Sequence, residues 1–351
     1  MKPNTDPLAT CEAAIALART DWDNFETSWD FRDLPLLRPE LKSSTLAASW
    51  RGWEAHCTAA IRRMQELETE NNRLFIEAYG LQGELTPEVP EDQITLARAD
   101  ATKDTAALLS YALGCMMGRY SLDQPGLVYA HAGNEGFDPS QYATFPADED
   151  GIVPVTEFAW FPDDAALRFE AFLKTAWSPE TLEENLAWVA EQLGPKRDET
   201  ARETIRRTFA TSFYKDHLQT YKKRPIYWLF SSGKERAFQA LVYLHRYHEG
   251  TLARMRTEYV IPLQGRIAGR IEQLREDIAR AVSTAHGKKL QKELDTLRKQ
   301  EVELRAFDEQ LRHYADLRIS LDLDDGVKKN YGKFGDLLAN VKDIAGGKDE
   351  E

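Results

Sequence analysis

Residues 253–314, ARMRTEYVIPLQGRIAGRIEQLREDIARAVSTAHGKKLQKELDTLRKQEVELRAFDEQLRHY, decide the fold class. Met255, Tyr259, Leu263, Ile267, Ile271, Leu274, Ile278 and Val282 recur at three- or four-residue steps amid Arg, Glu and Gln, the spacing of one buried stripe on an α-helix. A second run follows with Leu290, Leu294, Leu297, Leu304, Phe307, Leu311 and Tyr314. Between them, Ser283-Thr284-Ala285-His286-Gly287 is the natural place for the chain to reverse. The stretch therefore predicts a long helical hairpin packed like a coiled coil, with one uninterrupted rod as the alternative.

Upstream, residues 221–248, YKKRPIYWLFSSGKERAFQALVYLHRYH, crowd cations and aromatic rings together. From Lys215 to Arg256 there are nine Lys or Arg against three acids, a local balance of +6 in a chain whose net charge is −13. An acidic chain does not coat nucleic acid over its whole surface, so any such contact is confined to a patch. Lys222, Lys223, Arg224, Lys234, Arg236 and Arg246 are the candidate phosphate contacts, with Tyr227 or Trp228 as stacking groups. The alternative is a strand and a helix whose rings are core and whose cations are solvated. IYWLF after Pro225 reads as a short strand, Ser231-Ser232-Gly233 as a turn, and Phe238 to Tyr247 as helix.

The first 90 residues read as an antiparallel helical pair, residues 8–29 and 44–79, separated by FRDLPLLRP with its two prolines. Residues 103–119 form a compact apolar helix in which Gly114 and Gly118 permit close approach of a neighbour. Residues 125–161 are irregular, with short β-like pieces at 127–129 and 152–155, and further helices are predicted over 163–175, 179–193 and 202–220. Ser178 is the expected N-cap before Pro179. The fold expected is mainly α with a small α/β portion. Its regions are helical to residue 90, mixed over 91–200, a basic aromatic strand-helix segment over 201–252, and the hairpin with a C-terminal tail over 253–351.

Cys11, Cys57 and Cys115 are too few and too widely spaced for a disulfide framework or a paired-ligand zinc site, which fits a reducing cytoplasm. The start, MKPNTDPLATCEAA, lacks the pattern of an export signal, and no run approaches the ~20 apolar residues that cross a bilayer. No membrane association is expected.

Neither G-x-G-x-x-G nor G-x-x-x-x-G-K-[ST] occurs, and no Pro-Pro dipeptide exists. His245 and His248, at i and i+3 of the expected helix, lack a third ligand, so no metal site is expected. Asp148 to Asp150 and Asp163-Asp164 are acid pairs of the sort a chain with 58 acidic residues produces without catalytic purpose. Asp322-Leu-Asp-Asp-Gly326 lacks the spaced ligands of a calcium loop and reads as a turn or cap after the hairpin.

WDNFETSWDF (22–31), ENNRLFIEAYGLQGELTPEVP (70–90), LSYALGCMMGRYSLDQPGL (109–127), KKRPIYWLFSS (222–232), FQALVYLHRYH (238–248) and DLDDGVKKNYGKFG (322–335) occur in order along nearly the whole chain. Taken together, the chain resembles the C-terminal half of the PglX family, the adenine-specific DNA methyltransferases of BREX phage-exclusion systems, parts of which are shared with single-chain restriction and modification enzymes. The resemblance implies that S-adenosylmethionine and the Asn-Pro-Pro-aromatic catalytic motif belong to an N-terminal part. Neither that pocket nor that motif is present, so no catalytic residue is carried over and no cofactor is expected on this chain. The implied role is DNA target recognition or assembly, with double-stranded DNA and the methylating half, or other BREX proteins, as partners. One competing expectation is a scaffold whose hairpin 253–314 docks the methylating subunit without touching DNA; another is an enzyme with an unrecognised site.

Overall fold

The computed structural model describes residues 7–281 and 283–346. Readings placed on residues 1–6, on Val282 and on the last residues of the tail, 347–351, lie outside the described residues. Helix α1 (Pro7–Trp22) runs antiparallel to α2 (Leu46–Tyr79): the Cys11 thiol reaches Asn71 Oδ1 at 3.3 Å, while Ala14 and Leu17 pack near Ile61 and Met64. Thr45 caps α2 through Ala48 N, and Gly80 ends it in the left-handed region. The first helix stops at Trp22 instead of continuing to residue 29. Asp23 accepts Ser28 Oγ at 2.6 Å, a local side-chain bond of the kind that draws the chain out of a helix.

α3 (Ala101–Met116) is capped by Asp100, which accepts the amides of Thr102 and Lys103, and its second half is almost wholly buried. A Cβ at Gly114 would lie 2.4 Å from Tyr120 Cδ2, and one at Gly118 2.6 Å from Phe137 Cε2. The expected close approach is therefore made by the rings of the loops that follow. After the irregular segment come β1 (Ile152–Pro154), α4 (Ala165–Ala176), α5 (Leu182–Gln192), α6 (Ala201–Thr211) and α7 (Phe213–Thr220). The single helix expected over 202–220 breaks at Ser212. Ser178 makes no capping bond, and a 3₁₀ turn precedes α5.

β2 (Tyr227–Ser231) and β3 (Gln239–Tyr243) complete an antiparallel sheet of order β1-β3-β2, in which Trp228 faces Val242 and Val242 faces Ile152. Residues 238–247 are thus strand and turn, where helix was expected. The run QALVY is short, apolar after Gln239 and buried on both faces, so it shows neither periodicity. No ladder forms at 127–129.

The hairpin is present. α8 (Thr251–Arg254) passes through a π-helical segment, Met255–Val260, into α9 (Ile261–Arg280), and α10 (Thr284–Asp316) returns, which rules out the rod. Thr284 to Gly287 already belong to α10, so the reversal is tighter than expected. Arg270 to Glu293 (2.9 Å) and Arg256 to Asp308 (2.7 Å) tie the hairpin across. The Asp322 segment is a capping turn, Asp322 Oδ1 accepting Asp324 N, and α11 (Gly326–Gly332) and α12 (Val341–Ala345) follow. One large buried cluster extends from Phe31 to Ile344 and joins the sheet, the middle helices and the hairpin. No helix among the described residues is long and apolar enough to cross a membrane.

Candidate functional site

Lys222, Lys223 and Arg224 occupy the turn between α7 and β2. Lys222 N donates to Gln219 O (3.1 Å), Lys223 N to Leu218 O (2.8 Å) and Arg224 N to Tyr221 O (2.9 Å), closing the helix and holding both lysines at positive φ, 50° and 61°. Beneath the turn, His217 Nε2 accepts the amides of Ile226 (3.1 Å) and Tyr227 (3.2 Å). Burial, with Arg119 nearby, lowers the His217 pKa to about 3, so the ring is a neutral acceptor. All three cations are exposed, and among the described residues none forms a salt bridge. Cations left unpaired at the surface are available to an outside anion.

Lys234 and Arg236 lie at the opposite end of the β2–β3 hairpin, a strand length or ~17 Å away. That turn is gripped by α10. Glu303 accepts from Ser232 Oγ (2.7 Å), Glu235 N (2.6 Å) and Ala237 N (3.1 Å), and Gln300 donates to Glu235 O. Lys234 is exposed, whereas Arg236 pairs with Glu157 at 3.0 Å. Arg254 pairs with Glu258 and Arg256 with Asp308. The cations expected to form one island are therefore divided.

Three candidates are removed from the surface. Tyr227 is 0%, Trp228 1% and Arg246 1% exposed. Trp228 donates to Pro225 O and packs edge-on against Tyr331 and Phe334, because its strand is covered on both faces. Arg246 donates to the carbonyls of Asp148 (2.6 Å) and Glu149 (2.7 Å) and to Asn134 Oδ1 (2.9 Å), with Phe137 stacked on its guanidinium. Its charge is spent on the irregular segment. None of the three offers a surface to a duplex.

Asp148 itself accepts the amides of Asp150 and Gly151, and burial followed by the neighbouring Asp150 raises its pKa to about 7. His245 and His248 stand in a turn instead of on a helix, and His248 Nδ1 accepts Gly250 N. Among the described residues no group of three or more His, Cys, Asp or Glu is placed to hold a metal.

Sequence reasoning missed one surface. Ile15, Trp22 and Trp29, apolar positions of the first helix expected from the sequence, are 61%, 62% and 102% exposed, and Leu8 is 63% exposed. The seven-residue spacing of Leu8, Ile15 and Trp22 was the available signal: on α1 it marks one stripe, and α2 covers a different one, while Trp29 lies beyond the helix end.

The chain is 46% identical over 357 residues to the adenine-specific methyltransferase BrxX of Escherichia coli O9:H4 (strain HS), covering 95% of this chain and 29% of that protein. It is 40% identical over 328 residues to the adenine-specific methyltransferase PglX of Lacticaseibacillus casei (strain Zhang), covering 92% of this chain and 27% of that protein. No protein-family model matches. The resemblance drawn from the sequence blocks is borne out, and the chain spans less than a third of the length of the curated relatives it matches.

Proposed function

We propose that this chain, related over nearly its whole length to one part of the BrxX and PglX adenine-specific methyltransferases, serves as a DNA-contacting recognition portion of such an enzyme, with methyl transfer carried out by a part it does not span. The observation that carries the reading is the Lys222-Lys223-Arg224 turn: three adjacent exposed cations without carboxylate partners, fixed from below by His217. Phosphate contacts release counterions, so each one lost flattens the dependence of log affinity on log salt by about 0.9. Replacing all three residues with Ala should lower duplex affinity and reduce that slope by roughly 2–3. Unchanged affinity at several salt concentrations would discard the turn. With a labelled methyl donor and duplex DNA, this chain alone is expected to show no turnover.

The exposed stripe favours a second reading, a scaffold that docks the methylating part. Ile15 and Trp22 on α1, and Trp29 beyond its end, are exposed large apolar side chains of the kind that mark protein interfaces. Among the described residues, the expected hairpin surface offers only Ile261 and Val302 as exposed large apolar groups. Replacing Trp22 and Trp29 with Ser should abolish co-purification with the methylating portion of a relative while leaving duplex binding intact. Loss of duplex binding in the same variant would merge the two surfaces into one.

A further inference from the structure

A cavity of about 520 Å³ lies between the Asn24–Phe31 segment, α3 and α7. That volume falls within the ~300–1,000 Å³ of small-ligand sites. Flat rings wall it, among them Phe31, Tyr111 and Phe213, and Glu26, Ser110 and His217 supply polar groups. Ser110 Oγ donates to Glu26 Oε1. Glu26 is half-buried as a residue; its Oε2 is enclosed with no hydrogen bond of close geometry, and the Tyr221 hydroxyl stands near enough to the carboxyl to lower its pKa.

His217 Nδ1 is likewise enclosed without a partner. Because Nε2 accepts two backbone amides, the ring proton resides on Nδ1, which makes that atom a donor. Directly behind, Arg119 Nε, Tyr221 OH and Tyr227 OH also lack partners. The His217 ring is 4.7 Å from Tyr221 and 4.9 Å from Tyr227, and the Arg119 guanidinium stands 5.7 Å from the Tyr221 ring. Half of the ten buried unpartnered side-chain atoms among the described residues crowd this one place. Native interiors leave few such groups, and a cluster of them beside a cavity is a ligand-binding signature. Burial also raises the Glu26 pKa, with Arg119 opposing that rise.

We propose that this cavity binds a single nucleobase, held between its aromatic walls and read at its edge by the Glu26 carboxyl, with any attached phosphate meeting the Lys222-Lys223-Arg224 turn. A heterocycle edge carries both donors and acceptors, which matches an enclosed carboxyl oxygen beside a cluster of donors. Gln219 and Thr220 line the cavity, and the exposed cations begin two residues later, so base and phosphate subsites are continuous along the chain. The phosphate half rests on the DNA-contact reading above; the base half does not.

The test is calorimetric titration of the full chain with the four common nucleosides, their 5′-monophosphates and inorganic phosphate. One nucleoside is expected to saturate, and its monophosphate to bind roughly tenfold tighter, about 1.4 kcal/mol. Glu26→Gln should weaken the nucleoside at least tenfold, and Ala107→Phe, which reduces the cavity, should do the same by a different route. The Lys222/Lys223/Arg224 triple Ala variant should remove only the increment due to phosphate. If no nucleoside saturates, or if neither cavity variant changes its binding, the base site is overturned even when inorganic phosphate still binds the turn. If nucleosides bind as expected but the triple variant leaves monophosphate and duplex affinity unchanged, the base site stands and the turn reading falls.

Discussion

His217 Nε2 accepts the Tyr227 amide at 3.2 Å, so one buried imidazole fastens the end of α7 to the start of β2 across the turn that carries Lys222, Lys223 and Arg224. With the part-buried Ile226 amide on the same nitrogen, two backbone donors depend on this ring. Replacing it leaves both unsatisfied.

His217→Ala is expected to cost about 2–4 kcal/mol, from two orphaned amides at ~1–3 kcal/mol each with partial relaxation. Denaturant unfolding measures it. The pH dependence has a definite sign: the folded pKa, about 3, lies below the ordinary 6.5, so the unfolded chain binds the extra proton. Stability contributed by the neutral ring is present above pH 6.5 and is lost as pH falls from there toward 3. The wild-type minus variant difference should shrink over that window, and a constant difference would contradict the neutral assignment.

Asp148 works in the opposite direction. Its folded pKa, raised to about 7 from 3.8, means that the folded chain holds a proton that the unfolded chain has released. This contribution is present below pH 3.8 and is lost as pH rises toward 7. Asp148→Asn imitates the protonated acid and can still accept the Asp150 and Gly151 amides, so it should be as stable as wild type near pH 4 and more stable near pH 7–8. Thermal melts across that range decide it.

Glu303→Ala removes the acceptor for Ser232, Glu235 and Ala237 together. A loss of about 2–3 kcal/mol is expected, with faster amide exchange across residues 232–237. Glu303→Gln should recover part of the loss, since the amide oxygen still accepts.

Trp228→Ala should destabilise the fold by about 3–5 kcal/mol, the cost of emptying a large buried site. Any weakening of duplex binding in this variant should follow the unfolded fraction. A well-folded Trp228→Ala protein with specifically reduced DNA affinity would restore the stacking role that its burial denies.

The hairpin and the α1–α2 pair were legible because long amphipathic helices repeat their apolar spacing over many turns, as Leu263, Ile267, Ile271 and Leu274 do. β3 was not legible, since five buried residues give no alternation to read and the true determinant is pairing with β2 on one side and the distant β1 on the other. At the site, charge and ring content correctly drew attention to 221–248, but composition does not report direction. Trp228 and Arg246 carry the same chemistry as exposed residues, and only tertiary contacts with Phe334 and the Asp148 carbonyl turn them inward. The α1 stripe was visible as spacing, yet an apolar heptad looks alike whether a neighbour covers it or not.

Because α10 grips the β2–β3 turn through Glu303, some 19 residues and ~29 Å of rigid helix from its first residue, Thr284, the hairpin is geometrically a lever with its short arm on the sheet. A push at its far tip would turn about that grip and arrive beside Lys234 as a smaller displacement with a larger force. A displacement of the tip would thus reach the sheet by two routes at once, the Glu303 grip and the buried cluster that the hairpin shares with the strands.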